Sequence, residues 1–138
     1  MGDNLIAMHH PDPWVDLTHG YVSQVVGELS GQGVRIDRSW LDPADPRDAT
    51  VIIRDGAHQP LALVWDEETG WRHGIFESGC QGVRTRLSAA AGLGGGILPS
   101  GNEVAWRLKA RTVAEHVKYR SCADVRDGLD DKLRTMIW

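Results

Sequence analysis

Cysteine and lysine are both scarce in this sequence. The 138 residues hold two Cys, Cys80 and Cys122, far apart and without ligand-like neighbours. That excludes a disulfide-stapled secreted scaffold and a cysteine zinc site, and reads as two thiols in a reducing cytosol. Three Lys stand against 12 Arg, and the formal charge is −4 with a pI near 5.8. An acidic balance excludes a protein that coats nucleic acid or anionic membrane, although Arg84, Arg86, Arg107, Lys109 and Arg111 leave room for a local basic patch. No apolar run approaches the roughly 18 residues of a membrane span. The stretch from Met1 to His10 has neither a basic start nor a long apolar core, so it is not read as a signal peptide. The expected location is the cytoplasm. Phe and Tyr are also rare, one and two residues, against six Trp, so indole rings supply most of the aromatic area.

The most informative segment is Leu61-Ala-Leu-Val-Trp-Asp-Glu-Glu-Thr-Gly-Trp-Arg-His-Gly-Ile-Phe76. Two strand-favouring runs flank an acidic tip, and Gly70 supplies the positive φ that a hairpin loop of this length needs. Leu61 to Trp65 is apolar on both faces. It is expected to be a central strand covered on both sides, or on one side by a partner subunit.

Around this hairpin the periodicities give an order of elements. Tyr21, Val22, Val25, Val26 and Leu29 recur at helical spacing, with Asp16 or Thr18 as caps and Gly33 as a stop. Val34 to Leu41 reads as a first strand with Val34, Ile36 and Trp40 toward the core, and Thr50 to Arg54 as a second, followed by a turn at Asp55-Gly56. Val83 to Ala89 alternates as a fifth strand, although Leu87 to Ala91 also suits a short helix. Residues 92–101 are irregular. Asn102 caps a helix over 102–117 with a stripe of Trp106, Ala110, Val113 and Val117, widened by Val104 and Leu108. From Ser121 a last helix carries Val125, Leu129, Leu133 and Met136 on one face and runs to Trp138. The predicted class is α+β: an N-terminal helix, an antiparallel meander of four to five strands, and two C-terminal helices packed on the sheet. The predicted organisation is a flexible arm over 1–13, one domain over 14–120 and a helical extension over 121–138.

Few residues here suggest chemistry. His9, His10, His19, His58, His73 and His116 show no zinc-like spacing, so no metal and no cofactor is expected. The glycines of 92–96 precede a helix but lack a Gly-Lys-Ser/Thr ending and read as a bend. Asp66, Glu67 and Glu68 at the hairpin tip read as solvated, edge-setting charges. Cys80, in a flexible loop, has His73 and Arg84 near in sequence, which makes His73 and Cys80 the weak catalytic pair to test. Arg84, Arg86, Arg107 and Arg111 form the candidate anion-binding set, with Trp65 and Trp71 as candidate ligand-contacting indoles.

The hairpin motif Leu61-Ala-Leu-Val-Trp-Asp-Glu-Glu-Thr-Gly-Trp71, with Tyr21-Val22 before it and Gln81-Gly-Val-Arg84 and Leu93-Gly-Gly-Gly-Ile-Leu-Pro99 after it, resembles a family of small actinobacterial proteins known only as a domain of unknown function. The resemblance covers about residues 20–108. It implies no catalytic residues, and the segment beyond about Val117 looks like an addition to the usual pattern.

The functional expectation is a non-enzymatic cytoplasmic binding or regulatory module acting by protein–protein association, as a homodimer. The alternative is a small enzyme or ligand-binding protein with a Trp- and Arg-lined pocket between the sheet and helix 102–117. A small-molecule ligand fits either; nucleic acid and membrane do not.

Overall fold

The computed structural model describes residues 7–42, 46–54, 60–124 and 126–136. A single turn, α1 (Pro13–Asp16), is capped by the Asp12 carboxylate and leads into α2 (His19–Gly31). Five strands follow: β1 (Ile36–Leu41), β2 (Asp48–Ile53), β3 (Leu61–Asp66), β4 (Gly70–Cys80) and β5 (Val83–Gly92). They form one antiparallel sheet in the order β1-β2-β3-β4-β5. Helices α3 (Gly101–Lys109) and α4 (Leu129–Arg134) close the chain. The α+β meander with an N-terminal helix and two C-terminal helices is the architecture the periodicities imply.

The predicted hairpin pairs as its sequence dictates, Trp65 opposite Trp71 and Asp66 opposite Gly70. One face of the sheet is covered by the helices. Tyr21, Val22, Val25, Val26 and Leu29 of α2, Val104 and Ala105 of α3, and Leu129 and Leu133 of α4 join Val51, Leu63, Trp65 and Trp71 in a single apolar cluster. The opposite face is covered by the sheet itself. Three register shifts between β4 and β5 bend this long hairpin, and such bulges increase local twist. Its far end curls back over β1 and β2, so that the Thr50 and Thr85 hydroxyls lie 2.7 Å apart although β2 and β5 are not neighbours. Gln81 donates to the Leu41 carbonyl at the same seam. Beneath it, Trp40, Ile52 and Ala62 pack with Phe76 and Leu87. The two-sided apolar pattern of β3 is therefore satisfied within one chain.

Four expectations need correction. Val34 lies just before β1, and Ile36 and Trp40 do not share a face. A register shift between Ile36 and Arg38 inserts an extra residue, and a bulge of this kind reverses the alternation, sending Trp40 to the second cluster. Ser100, not Asn102, caps α3, its Oγ accepting from the Glu103 amide at 3.1 Å. Helix α3 ends at Lys109 rather than 117, because Arg111 takes φ +56° and the chain turns to pair Ala114 with Gly92. The anticipated stripe is consequently not buried: Trp106 is 65% exposed and Val113 77%. The final helix spans six residues and starts after Gly128, with 121–124 in turns; Val125 and Trp138 of the expected helix, and the turn at Asp55-Gly56, lie outside the described residues.

Gly70 joins the hairpin to the glycine-rich return. Its φ is +74°, and a Cβ there would overlap the Gly96 carbonyl oxygen. Gly70→Ala therefore combines strain with a backbone clash and should lower the unfolding free energy by more than about 1 kcal/mol. Gly31→Ala, with open space around the site and no positive φ, should be neutral or slightly stabilising. Urea denaturation of the two variants checks both.

Candidate functional site

A hollow lies where the ends of β1, β2 and β3 meet the C-terminal ends of α2 and α3. It encloses about 670 Å³, inside the range of small-molecule sites. Val34, Ile53, Leu61 and Leu108 give it apolar walls, and Arg35, Arg54, Lys109 and Arg111 bring cations to it. No carboxylate lines it among the described residues. The wall carrying Arg111 and Val113 is held in place by backbone bonds. The Thr112 amide donates to Arg107 at 3.0 Å, and the Ala114 amide donates to Gly92 at 2.7 Å. His73 Nε2 lies 2.9 Å from the Thr112 carbonyl, which requires the proton on that nitrogen.

A second constellation lies at the hairpin tip, and its central pair is buried. Glu67 is 0% exposed and Arg47 1%. The Arg47 Nε and Nη2 donate to the two Glu67 oxygens at 3.1 and 3.0 Å, and the Arg47 amide donates to Glu67 Oε2 at 2.6 Å. Arg120 Nη1 adds a bond to Glu67 Oε1 at 2.9 Å, while its Nε and Nη2 donate to Asp127. Arg47 reaches onward to Asp130 at 2.6 Å, to the Trp14 carbonyl at 3.1 Å and over the Trp14 ring at 4.3 Å. Burial works against the Arg47 charge, but Glu67 and Asp130 outweigh it and raise its pKa. The tip carboxylates are thus not the solvated charges their position suggested. Residues 118–122 lie across them, with the Tyr119 amide on the Glu68 carbonyl and the Cys122 amide on the Glu68 carboxylate.

The seam where β4–β5 curls over β1–β2 carries a third group. Asp42 is pushed up to about 7 by burial and by Asp48, and accepts from Trp40 Nε1 at 3.0 Å. Asp48 is pushed up to about 6 by burial, against the Arg84 guanidinium 2.6 Å away.

The anticipated site residues do not converge. Trp65 and Trp71 are 0% and 1% exposed, so they fill the core rather than touch a ligand. Trp71 Nε1 donates to the Tyr21 hydroxyl at 2.9 Å, which donates to the Pro99 carbonyl at 2.6 Å, and Trp65 Nε1 donates to the Ile97 carbonyl at 2.6 Å. Arg84 is spent on Asp48, and Arg86 lies two residues further along the same strand. Arg107 pairs with Glu103 at 2.8 Å. Of the four arginines, Arg111 alone lines the cavity. Cys80 closes β4 opposite Val83, whereas His73 lies near the strand's other end opposite Ala91. Seven residues of strand separate them, on the order of 20 Å, so they do not form a nucleophile–base pair. Sequence reasoning missed Arg35, Arg54, Arg47 and Arg120. Nothing local in the sequence marks the last two, whose shared partner Glu67 is 20 and 53 residues away. No group of three or more His, Cys, Asp or Glu suited to a metal occurs among the described residues, and none of their helices is long and apolar enough to cross a membrane.

A family of unknown function, DUF6292, has a model that matches residues 21–110. The chain belongs to this family. No curated protein and no solved structure matches it. The matched region includes the hairpin, Arg47, Glu67 and most of the cavity. Arg111 and Val113 of the cavity wall, and Arg120, Asp127 and Asp130 of the ionic cluster, lie beyond it.

Two measurements probe the buried charges. Arg120→Ala leaves Glu67 short of a cation in a water-free site and should destabilise the fold by about 3 kcal/mol, read by urea denaturation. Asp42 and Asp48 hold their protons more tightly folded than at the ordinary value of 3.8. Their contribution to stability is therefore fullest below about pH 4 and falls as pH rises toward 7. His19, whose pKa is lowered by burial, acts in the opposite sense below its ordinary 6.5. Asp42→Asn removes one carboxyl and leaves His19 in place. The stability of the wild type relative to this variant should drop between pH 5 and pH 8, and a difference independent of pH would contradict the assignment.

Proposed function

We propose that the protein is a non-catalytic binding module, regulatory in role, whose cavity between the sheet edge and the end of α3 receives a small molecule. The supporting observation is the cavity itself: about 670 Å³, apolar within and lined by cations, with a wall pinned by His73 and the Gly92–Ala114 pair. The His73 Nε2 in its wall is engaged with the Thr112 carbonyl, which favours binding over general acid–base chemistry. The Arg-rich, Lys-poor composition supports an actinobacterial source, and thiols not joined in a disulfide support the cytoplasm.

A second reading, homodimerisation, draws on the outer face of α3, where Trp106 is 65% exposed beside Asn102, Glu103 and Arg107. An indole so exposed suits an interface anchor. The apolar faces of β3 no longer support this reading, since the chain covers them itself.

A thermal-shift screen of metabolites tests the main reading. A ligand at a hundredfold excess over its Kd adds about 2.7 kcal/mol of stability. At least one compound should raise the Tm of the wild type and fail to do so in Val113→Trp, where an exposed wall residue is enlarged to fill the hollow. Shifts of equal size in both proteins would remove the cavity from consideration. For the second reading, light scattering should give twice the chain mass for the wild type and the chain mass for Trp106→Glu. A wild-type monomer at tens of micromolar would end it.

A further inference from the structure

The distribution of charge around the cavity is at odds with the chain as a whole. The protein carries a formal −4, yet four cations and no carboxylate line this hollow among the described residues. Two of the four have partners. Arg54 pairs with Asp37 at 2.7 Å, and Lys109 donates to the Gln32 carbonyl at 2.8 Å. Among the described residues, Arg35 and Arg111 make no ion pair or hydrogen bond from their guanidinium groups, whereas Arg47, Arg72, Arg84, Arg107 and Arg120 are all paired with acids. Guanidinium is built for bidentate contact with a carboxylate or phosphate.

The placement of Arg111 strengthens the point. Its φ of +56° is a left-handed conformation that non-glycine residues adopt only under strain. Neighbouring bonds hold it there: Thr112 to Arg107, His73 to Thr112, and Ala114 to Gly92. The backbone that carries the cation is thus held beside the hollow before any ligand arrives, so binding has only the side chain left to order. The apolar walls behind it, Val34, Leu61 and Leu108, offer no hydrogen-bonding side chain. A purely ionic ligand would leave them uncovered, and a purely apolar one would leave the guanidinium groups unanswered.

We infer that the cavity takes an amphipathic anion, with an acyl or aromatic body against Leu61 and Leu108 and a carboxylate or phosphate head at Arg35 and Arg111. This rests on the reading of the cavity as a ligand site. The test uses the full chain and a matched pair of fluorescent probes, anionic 8-anilinonaphthalene-1-sulfonate and neutral N-phenyl-1-naphthylamine. Decanoate, decyl phosphate and decanol serve as competitors. The sulfonate probe should bind at one saturable site and be displaced by decanoate or decyl phosphate at concentrations at least tenfold below decanol. The stronger of the two anions identifies the head group. Arg35→Glu/Arg111→Glu, at two exposed positions, should weaken the sulfonate probe at least tenfold and leave the neutral probe within about twofold. Arg35→Gln/Arg111→Gln serves in its place if the charge reversal does not fold. Equal binding of both probes, unaffected by either double variant but abolished by Val113→Trp, would overturn the anion assignment and leave the cavity standing as a ligand site. Binding of neither probe to the wild type, or binding unchanged in Val113→Trp, would overturn both.

Discussion

A single buried carboxylate organises the chain. Glu67 sits at the tip of the central hairpin, out of water, and is tolerable there because Arg47 meets both of its oxygens and Arg120 supplies a further bond. An ion transferred from water without such partners would carry a penalty of several kcal/mol. Meeting that requirement draws distant segments together. Arg47 brings the start of β2 against the tip, stacks on Trp14 of α1 and reaches Asp130 of α4. Arg120 brings the segment after α3 across the same point. A pair of hydrophobic residues could have filled this space at less risk, but would not have fixed which segments meet. The value of the arrangement lies in that choice of neighbours.

The sheet solves a different problem. Strand β3 is apolar on both faces and β2 is buried on both, and one layer of helices covers one face. Bulges along β4 and β5 bend the remaining hairpin over the other, so a single chain of this size buries both sides. The acids Asp42 and Asp48 are trapped at the seam of this curl, which explains why their protons are held so tightly. The cavity is the complementary outcome. At the opposite end of the strands α3 stops early, and the chain that turns away at Arg111 forms a wall rather than a lid.

Much of the architecture was legible from period and turn chemistry alone. The hairpin, the α2 face and the glycine-rich return follow from local pattern, because Gly70, the Trp shoulders and the i, i+3, i+4 spacing from Tyr21 act over a few residues. The errors come from long-range causes. The stripe through Trp106, Val113 and Val117 has helical spacing, yet the pairing of Ala114 with Gly92, 22 residues earlier, wins over it. The bulge at β1 reverses one face without any Gly or Pro to announce it. At the candidate site, Arg111 was identifiable as a candidate for anion binding, but Arg35 and Arg54 were not, since only the fold brings the two ends of the β1–β2 pair to α3. Trp65 and Trp71 were visible as important, while their role as donors anchoring Ile97 and, through Tyr21, Pro99 depends on contacts 32 to 78 residues apart.

The ionic cluster also says something about descent. Glu67 and Arg47 lie in the part of the chain shared with the family, whereas Arg120 comes from beyond it. An acid at this depth with two guanidinium partners is a different electrostatic object from one with a single partner. Relatives that have no residue equivalent to Arg120 should carry Gln or an apolar side chain where this chain has Glu67, or bring a cation from another direction.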